Sequence, residues 1–144
     1  MKNSIFIINL ILIAFSVNAQ NFVPNWSFEE HSLCPNNYGQ VDYSTGWNRA
    51  IENAPGGTWA TDYLNSCNNG TFGAPNNTWG YQVTSTGNSY MALCTMAPFA
   101  QEDYRENIYI ELVNPLQINN IYVPSIKVSS TDNSQYATNN IGVK

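Results

Sequence analysis

Asn25-Trp26-Ser27-Phe28-Glu29-Glu30 is the stretch on which the reading of this chain turns. Its residues alternate. On a strand, Trp26 and Phe28 would share one face, and Ser27 and Glu29 the other. It also begins a series of short aromatic segments separated by turn residues, and that series predicts an all-β sandwich with the rings of this first strand in its core. Glu29 then has two readings. It is a solvated charge at a strand edge, or an oxygen ligand for a structural calcium, which needs several further oxygens.

Working outward towards the start, residues 1–19 form a targeting segment. Lys2 supplies a positive end, Ile5–Phe15 is an apolar run broken only by Asn9, and Val17-Asn18-Ala19 is a small-x-small cleavage site. Cleavage is expected before Gln20, giving a signal peptide over 1–19 and one sandwich domain over 20–144. The apolar run is short for a membrane span, and no cysteine follows the cleavage point to carry a lipid. No second long apolar stretch follows, so a secreted or cell-surface chain without a membrane span is expected.

The charge supports the same class. The whole sequence carries −5; without Lys2, the basic side chains are Arg49, Arg105, Lys127 and Lys144 against ten acidic ones, a net charge of −6. No basic patch forms, which argues against nucleic acid as a partner. Aromatic residues make up 13% of the chain, enough to drive a core and argue against disorder.

Three cysteines remain: Cys34, Cys67 and Cys94. Cys34 and Cys67 lie in loop-type sequence and Cys94 in an apolar run. The expected disulfide is therefore Cys34–Cys67, with Cys94 a small buried apolar residue. The spacing does not suit zinc, for which His31 would be the only additional nitrogen ligand. His31 itself reads as an exposed turn residue.

Between Pro35 and Asn77 turn chemistry dominates, as in Asn53-Ala54-Pro55-Gly56-Gly57, Asn68-Asn69-Gly70 and Pro75-Asn76-Asn77. Short apolar pieces such as Gln40–Tyr43 and Asp62–Leu64 interrupt it. The Cys34–Cys67 bridge would hold this irregular region down. Its rings are Trp47, Trp59, Tyr63, Trp79 and Tyr81. Trp47 and Tyr81 are expected inside. Trp59, Tyr63 and Trp79 are the candidate ligand-binding residues, since rings stack on the apolar faces of sugars while Asn, Gln and Asp bond hydroxyls. The other reading places these rings in the core or pins loops with them.

Beyond Asn77, Gly80–Thr84 predicts a short strand and Ser89–Met96 a strand buried on both faces. Arg105–Val113 is the clearest strand, with Ile108, Ile110 and Leu112 alternating with Tyr109 and Glu111. Ile121–Ser129 predicts an edge strand, because Pro124 cannot donate a ladder hydrogen bond. Ile141–Val143 begins one more. That makes about six strands where a jelly roll has about eight. The expectation is a sandwich whose C-terminal strands are missing.

The Asn-x-Ser-Phe-Glu pattern at Asn25–Glu29 resembles the opening strand of jelly-roll modules in the galactose-binding-like superfamily, which includes many carbohydrate-binding modules. A longer series resembles a narrower group, the secreted or surface proteins of Bacteroidetes type that often carry an OmpA-like domain or a type 9 secretion sorting tail. Its pieces are Val23-Pro24-Asn25-x-Ser27-Phe28-Glu29-Glu30, Cys34-Pro35, Gly46-Trp47, Asp62-Tyr63-x-Asn65-x-Cys67, Gly80-Tyr81-Gln82, Gly87-Asn88-Ser89-Tyr90, Arg105-Glu106-x-Ile108 and the close Tyr136–Gly142. The chain departs from that group at Pro124 and Lys127. The resemblance implies a galactose-binding-like jelly roll and no activity.

The expected function is thus an exported, non-catalytic binding module for a glycan or a cell-envelope polymer, with a structural spacer or adhesion domain as the alternative. A glycoside hydrolase would need two paired carboxylates. Glu29, Asp62 and Glu106 are the available acids, and no spacing pairs them. No catalytic residue and no cofactor is expected, apart from the calcium reading of Glu29.

Overall fold

The computed structural model describes residues 20–49, 61–95, 105–135, 138 and 141–143. The expected targeting segment at 1–19 and the candidate ring Trp59 lie outside the described residues. Within them the architecture is all-β, with one 3-10 turn at Val41–Tyr43 and no α-helix. The strands are β1 (Asn48–Arg49), β2 (Asp62–Asn65), β3 (Asn76–Asn77), β4 (Gly80–Tyr81), β5 (Ser89–Ala92) and β6 (Ile108–Tyr109). They pair antiparallel as β1 with β6, β2 with β5, and β3 with β4.

The centre is β2 on β5, in the register Asp62↔Ala92, Tyr63↔Met91, Leu64↔Tyr90 and Asn65↔Ser89. All four β2 residues are buried, although two are polar. Alternation sends Tyr63 and Asn65 to one face and Asp62 and Leu64 to the other. Residues opposite each other on paired strands share a face, so Ser89 joins Tyr63 and Asn65. Their polar atoms satisfy one another: Asn65 Nδ2 donates to Tyr63 Oη at 2.9 Å and to Ser89 Oγ at 2.7 Å. That pairing allows polar groups to sit at the centre of a fold without stranding them. β5, expected to be buried on both faces, is buried at Ser89 and half-buried from Tyr90 to Ala92.

Asn25–Glu30 is not a strand, which corrects the sequence expectation. It is a turn, with Asn25 at φ 42° and Phe28 at φ 64°. Asn tolerates this left-handed region because its short amide bonds nearby backbone. Here Asn25 Oδ1 accepts the Glu30 N–H at 2.9 Å, while Nδ2 is directed at the Glu30 and Thr45 carbonyls at 2.8 and 2.9 Å. The turn parts the two rings that alternation had put together. Trp26 is 54% exposed, whereas Phe28 is half-buried against Trp47, with ring centroids 4.9 Å apart. The Trp47 indole N–H donates to the Asn25 carbonyl at 2.9 Å, and Trp47, expected inside, is half-buried.

The disulfide joins Cys34 to Cys67, with Cα atoms 5.9 Å apart, and Cys94 is half-buried outside it. The bridge ties the loop after the first turn to the end of β2. Asn68 Nδ2 reinforces it by donating to the Pro35 carbonyl at 2.8 Å.

Two strand expectations shorten. Gly80–Thr84 reduces to Gly80–Tyr81, and its partner is Asn76–Asn77, a segment read from sequence as turn. The turn is instead Thr78-Trp79, closed by Asn77 Oδ1 accepting the Trp79 N–H at 2.9 Å. Tyr81, expected inside, is 57% exposed. Across Arg105–Val113 only Ile108–Tyr109 makes a ladder, although Ile108, Ile110 and Leu112 are half-buried and Tyr109, Glu111 and Val113 exposed, as alternation predicts. Ile110 packs over Gly46, which sits at φ +83° where a Cβ would meet Ile110 Cδ1 at 3.2 Å.

The Ile121–Ser129 strand does not form: Ile121 is 93% and Val123 87% exposed. Pro124 lacks a ladder donor, and no described strand edge takes up this segment. It is held at its ends instead. Val113 N–H donates to the Phe22 carbonyl at 3.0 Å, and Asp132 Oδ2 accepts the Tyr81 N–H at 2.7 Å.

Candidate functional site

The β3–β4 hairpin carries Trp79 at its tip, because a two-residue loop leaves the indole outside the ladder. Trp79 is 37% exposed. Beside it lies Tyr38, 46% exposed, from the Asn36–Gly39 loop. The two ring centroids are 6.3 Å apart at 65°, forming an open corner. Buried Phe72 stands behind Tyr38, edge-to-face at 4.9 Å and 87°.

Asp62 fixes this corner from below. Its Oδ2 accepts the Trp79 indole N–H at 3.0 Å, and its Oδ1 accepts the Gly39 N–H at 2.8 Å. One buried carboxylate therefore anchors both the hairpin tip and the loop that bears Tyr38. Burial pushes the Asp62 carboxyl above its ordinary value, and the bonds from Gly39 and Trp79 partly oppose that rise. The loop is further held by Gln40 Oε1, which accepts the N–H groups of Asn36 and Asn37 at 2.8 and 2.9 Å.

Of the sequence candidates, Trp79 is at this corner. Tyr63 is not: its side chain is fully buried and its hydroxyl donates to the Phe28 carbonyl, so no ligand can stack on it. This corrects its reading as a ligand-binding ring. The cause is that β2 is the central strand rather than a piece of loop. Glu29 is part of the turn at Gly87-Asn88, where its Oε1 accepts the Asn88 N–H at 2.7 Å. One of the oxygens that a calcium would take is thus already engaged with backbone. Among the described residues, no group of three or more His, Cys, Asp or Glu side chains gathers as a metal site. His31 is exposed, and its Nδ1 lies 2.9 Å from the Glu29 carbonyl oxygen.

Comparison of the chain with protein-family models, with curated proteins and with solved structures finds no match. The chemistry of the corner is therefore the ground on which a function rests. It offers two ring faces, a firm base and no charge presented to solvent by Asp62, an arrangement suited to stacking against apolar faces of a neutral ligand. No helix among the described residues is long and apolar enough to cross a membrane.

Tyr38 and Asp62 escaped the sequence reading as members of this site. Tyr38 stands between Asn36-Asn37 and Gly39, a turn context in which a ring is held out from the chain. That context was the available signal. For Asp62 none existed, since only the fold brings Gly39 and Trp79 to its two oxygens.

Proposed function

We propose that this chain is an exported, non-catalytic surface module of galactose-binding-like, jelly-roll type, which binds a glycan or cell-envelope polymer through the Tyr38–Trp79 corner. The observation that supports this reading is that buried Asp62 anchors both the exposed Trp79 indole and the backbone of the loop that bears exposed Tyr38. An exposed ring held in place loses little freedom when a ligand stacks on it, so more of the contact energy appears as affinity. The Cys34–Cys67 disulfide is compatible with export into an oxidising compartment. The antiparallel pairings are compatible with a jelly-roll sandwich.

A structural spacer is the second reading. It draws on the uptake of Tyr63 and Trp47 into internal hydrogen bonds, which makes them parts of the scaffold.

A glycan array probed with the purified chain tests the choice, alongside the Trp79→Ala and Tyr38→Ala variants. Binding that weakens about tenfold in each variant, roughly 1.4 kcal/mol, supports the corner. Absence of binding by the parent chain overturns it and leaves the spacer.

A further inference from the structure

From Ile121 to Thr131 the chain is extended with no strand beside it. It runs without a turn, a bend or a left-handed residue from the reversal at Asn119, φ 68°, to the turn at Asp132-Asn133. Bonds at both ends fix it: the Tyr122 hydroxyl accepts the Gln117 N–H at 3.0 Å, and Asp132 Oδ2 accepts the Tyr81 N–H at 2.7 Å. Among the described residues, no backbone N–H from Ile121 to Ser130 donates a hydrogen bond. The side chains are uncovered too, Ile121 being 93%, Val123 87%, Ile126 55% and Val128 65% exposed. A run held in this way has little freedom left to lose when it pairs.

The two edges of this run are not equivalent. Along a strand, the N–H and C=O groups of alternate residues point to the same side. One edge carries Tyr122, Pro124, Ile126 and Val128, and Pro124 has no N–H to give, so a ladder there is interrupted. The other carries Ile121, Val123, Ser125, Lys127 and Ser129, with every donor and acceptor present. That complete edge matches itself. Antiparallel pairing of two copies about Ser125 sets Ile121 opposite Ser129, Val123 opposite Lys127 and Ser125 opposite its own copy, all as hydrogen-bonded pairs. Pro124 then falls opposite Ile126, and Tyr122 opposite Val128. These are non-hydrogen-bonded pairs, which require no N–H and bring side chains closest. Tyr122 against Val128 is an aromatic–β-branched pair, a favourable kind across strands. Lys127 lies across from Val123 rather than from its own copy, so like charges do not meet, and its methylenes cover that valine. A second copy therefore supplies what this edge needs from a partner.

We propose that Ile121–Ser129 is a homodimer interface, pairing antiparallel with the same segment of a second copy across a two-fold axis at Ser125. Because Pro124 interrupts the opposite edge, pairing closes at two copies and does not run on into a filament. The interface uses none of the residues of the Tyr38–Trp79 corner, and it stands whether or not that corner binds.

Sedimentation equilibrium of the purified chain should show a mass that rises with concentration from one copy to two and no further. Ser125→Pro removes the central donor of the ladder from both copies and should weaken the dimer about tenfold or more. Ser125 is exposed and makes no hydrogen bond among the described residues, so the variant should keep the parent's urea midpoint at the lowest concentration. Ser125→Cys should link to its own copy when treated with oxidised glutathione, since the Cα atoms of a hydrogen-bonded pair lie about 5.5 Å apart. Ile121→Cys should not, because its two copies would stand about 26 Å apart along the strands. Non-reducing peptide mapping identifies the linked residue. A single-copy mass at every concentration up to about 1 mM overturns the proposal. So does a mass that climbs past two copies, or a dimer undiminished in Ser125→Pro. Linkage through Ile121→Cys as ready as through Ser125→Cys also overturns it.

Discussion

The Tyr63 hydroxyl donates to the Phe28 carbonyl oxygen at 3.0 Å, joining residues 35 positions apart. Through this bond the central strand β2 holds a backbone turn that Phe28, at φ 64°, would not adopt readily by itself. The same hydroxyl lies 3.2 Å from Ser89 Oγ and accepts from Asn65, whose Oδ1 accepts the Cys67 N–H at 2.8 Å. The turn, both central strands and one end of the disulfide thereby belong to a single polar network.

Tyr63→Phe keeps the ring and removes that junction. The Phe28 carbonyl loses its donor, and Asn65 and Ser89 lose a shared partner. The expected cost is about 1–3 kcal/mol, the range for leaving buried polar groups unsatisfied. Urea unfolding should show a lower midpoint with an unchanged slope. An unchanged midpoint would mean that water replaces the hydroxyl at no cost.

Gly87 sits at φ +62°, and a Cβ there would collide with the Glu29 carboxyl group. Gly87→Ala is therefore expected to destabilise by more than the roughly 1–2 kcal/mol of left-handed backbone strain alone. Glu29→Ala in the same background should recover the collision and leave the strain. The two effects should thus be non-additive in a double-mutant cycle read by urea midpoints. Additivity would show that Glu29 does not press on this turn.

Asp62 has a carboxyl pKa raised by burial above its ordinary 3.8. The native state then holds this proton more tightly than the unfolded chain. The group's contribution to stability is largest below 3.8, falls as pH climbs from there through the raised value, and is level above it. Parent stability minus that of Asp62→Asn should decline with rising pH over this window. The lost Trp79 and Gly39 geometry in the variant adds a constant offset. Urea midpoints at a series of pH values measure the difference, and a flat or rising curve would contradict the assignment.

The Cys34–Cys67 bridge spans 33 residues of sequence. Replacing both cysteines with serine should cost about 3–4 kcal/mol by loop-closure entropy. Non-reducing peptide mapping of the parent chain should recover Cys34 linked to Cys67. A linkage containing Cys94 would disprove the pairing.

Parts of this structure were legible from residue order. The bridge could be read because two cysteines stand in turn-rich sequence and the third in an apolar run. The half-buried face of Ile108, Ile110 and Leu112 could be read because a strand presents alternate residues to one side whether or not its ladder is long. Ile121–Ser129 shows the limit: side-chain pattern describes a strand's faces, but its existence depends on a partner edge for its N–H and C=O groups.

Asn25–Glu30 and Asp62–Asn65 divide the matter most clearly. Sequence by itself determined the class, an aromatic, turn-rich β chain of net acidic charge with one bridge, because composition, cysteine context and turn chemistry are local properties. Tertiary structure alone decided that the alternating Asn25–Glu30 is a turn and the polar Asp62–Asn65 is the centre. Alternation records which residues could share a face and is silent on distant groups. Only the fold brings the Tyr63 hydroxyl to Phe28, and Gly39 and Trp79 to the Asp62 carboxylate. Those long-range hydrogen bonds make the buried positions tolerable and hold the exposed rings in place.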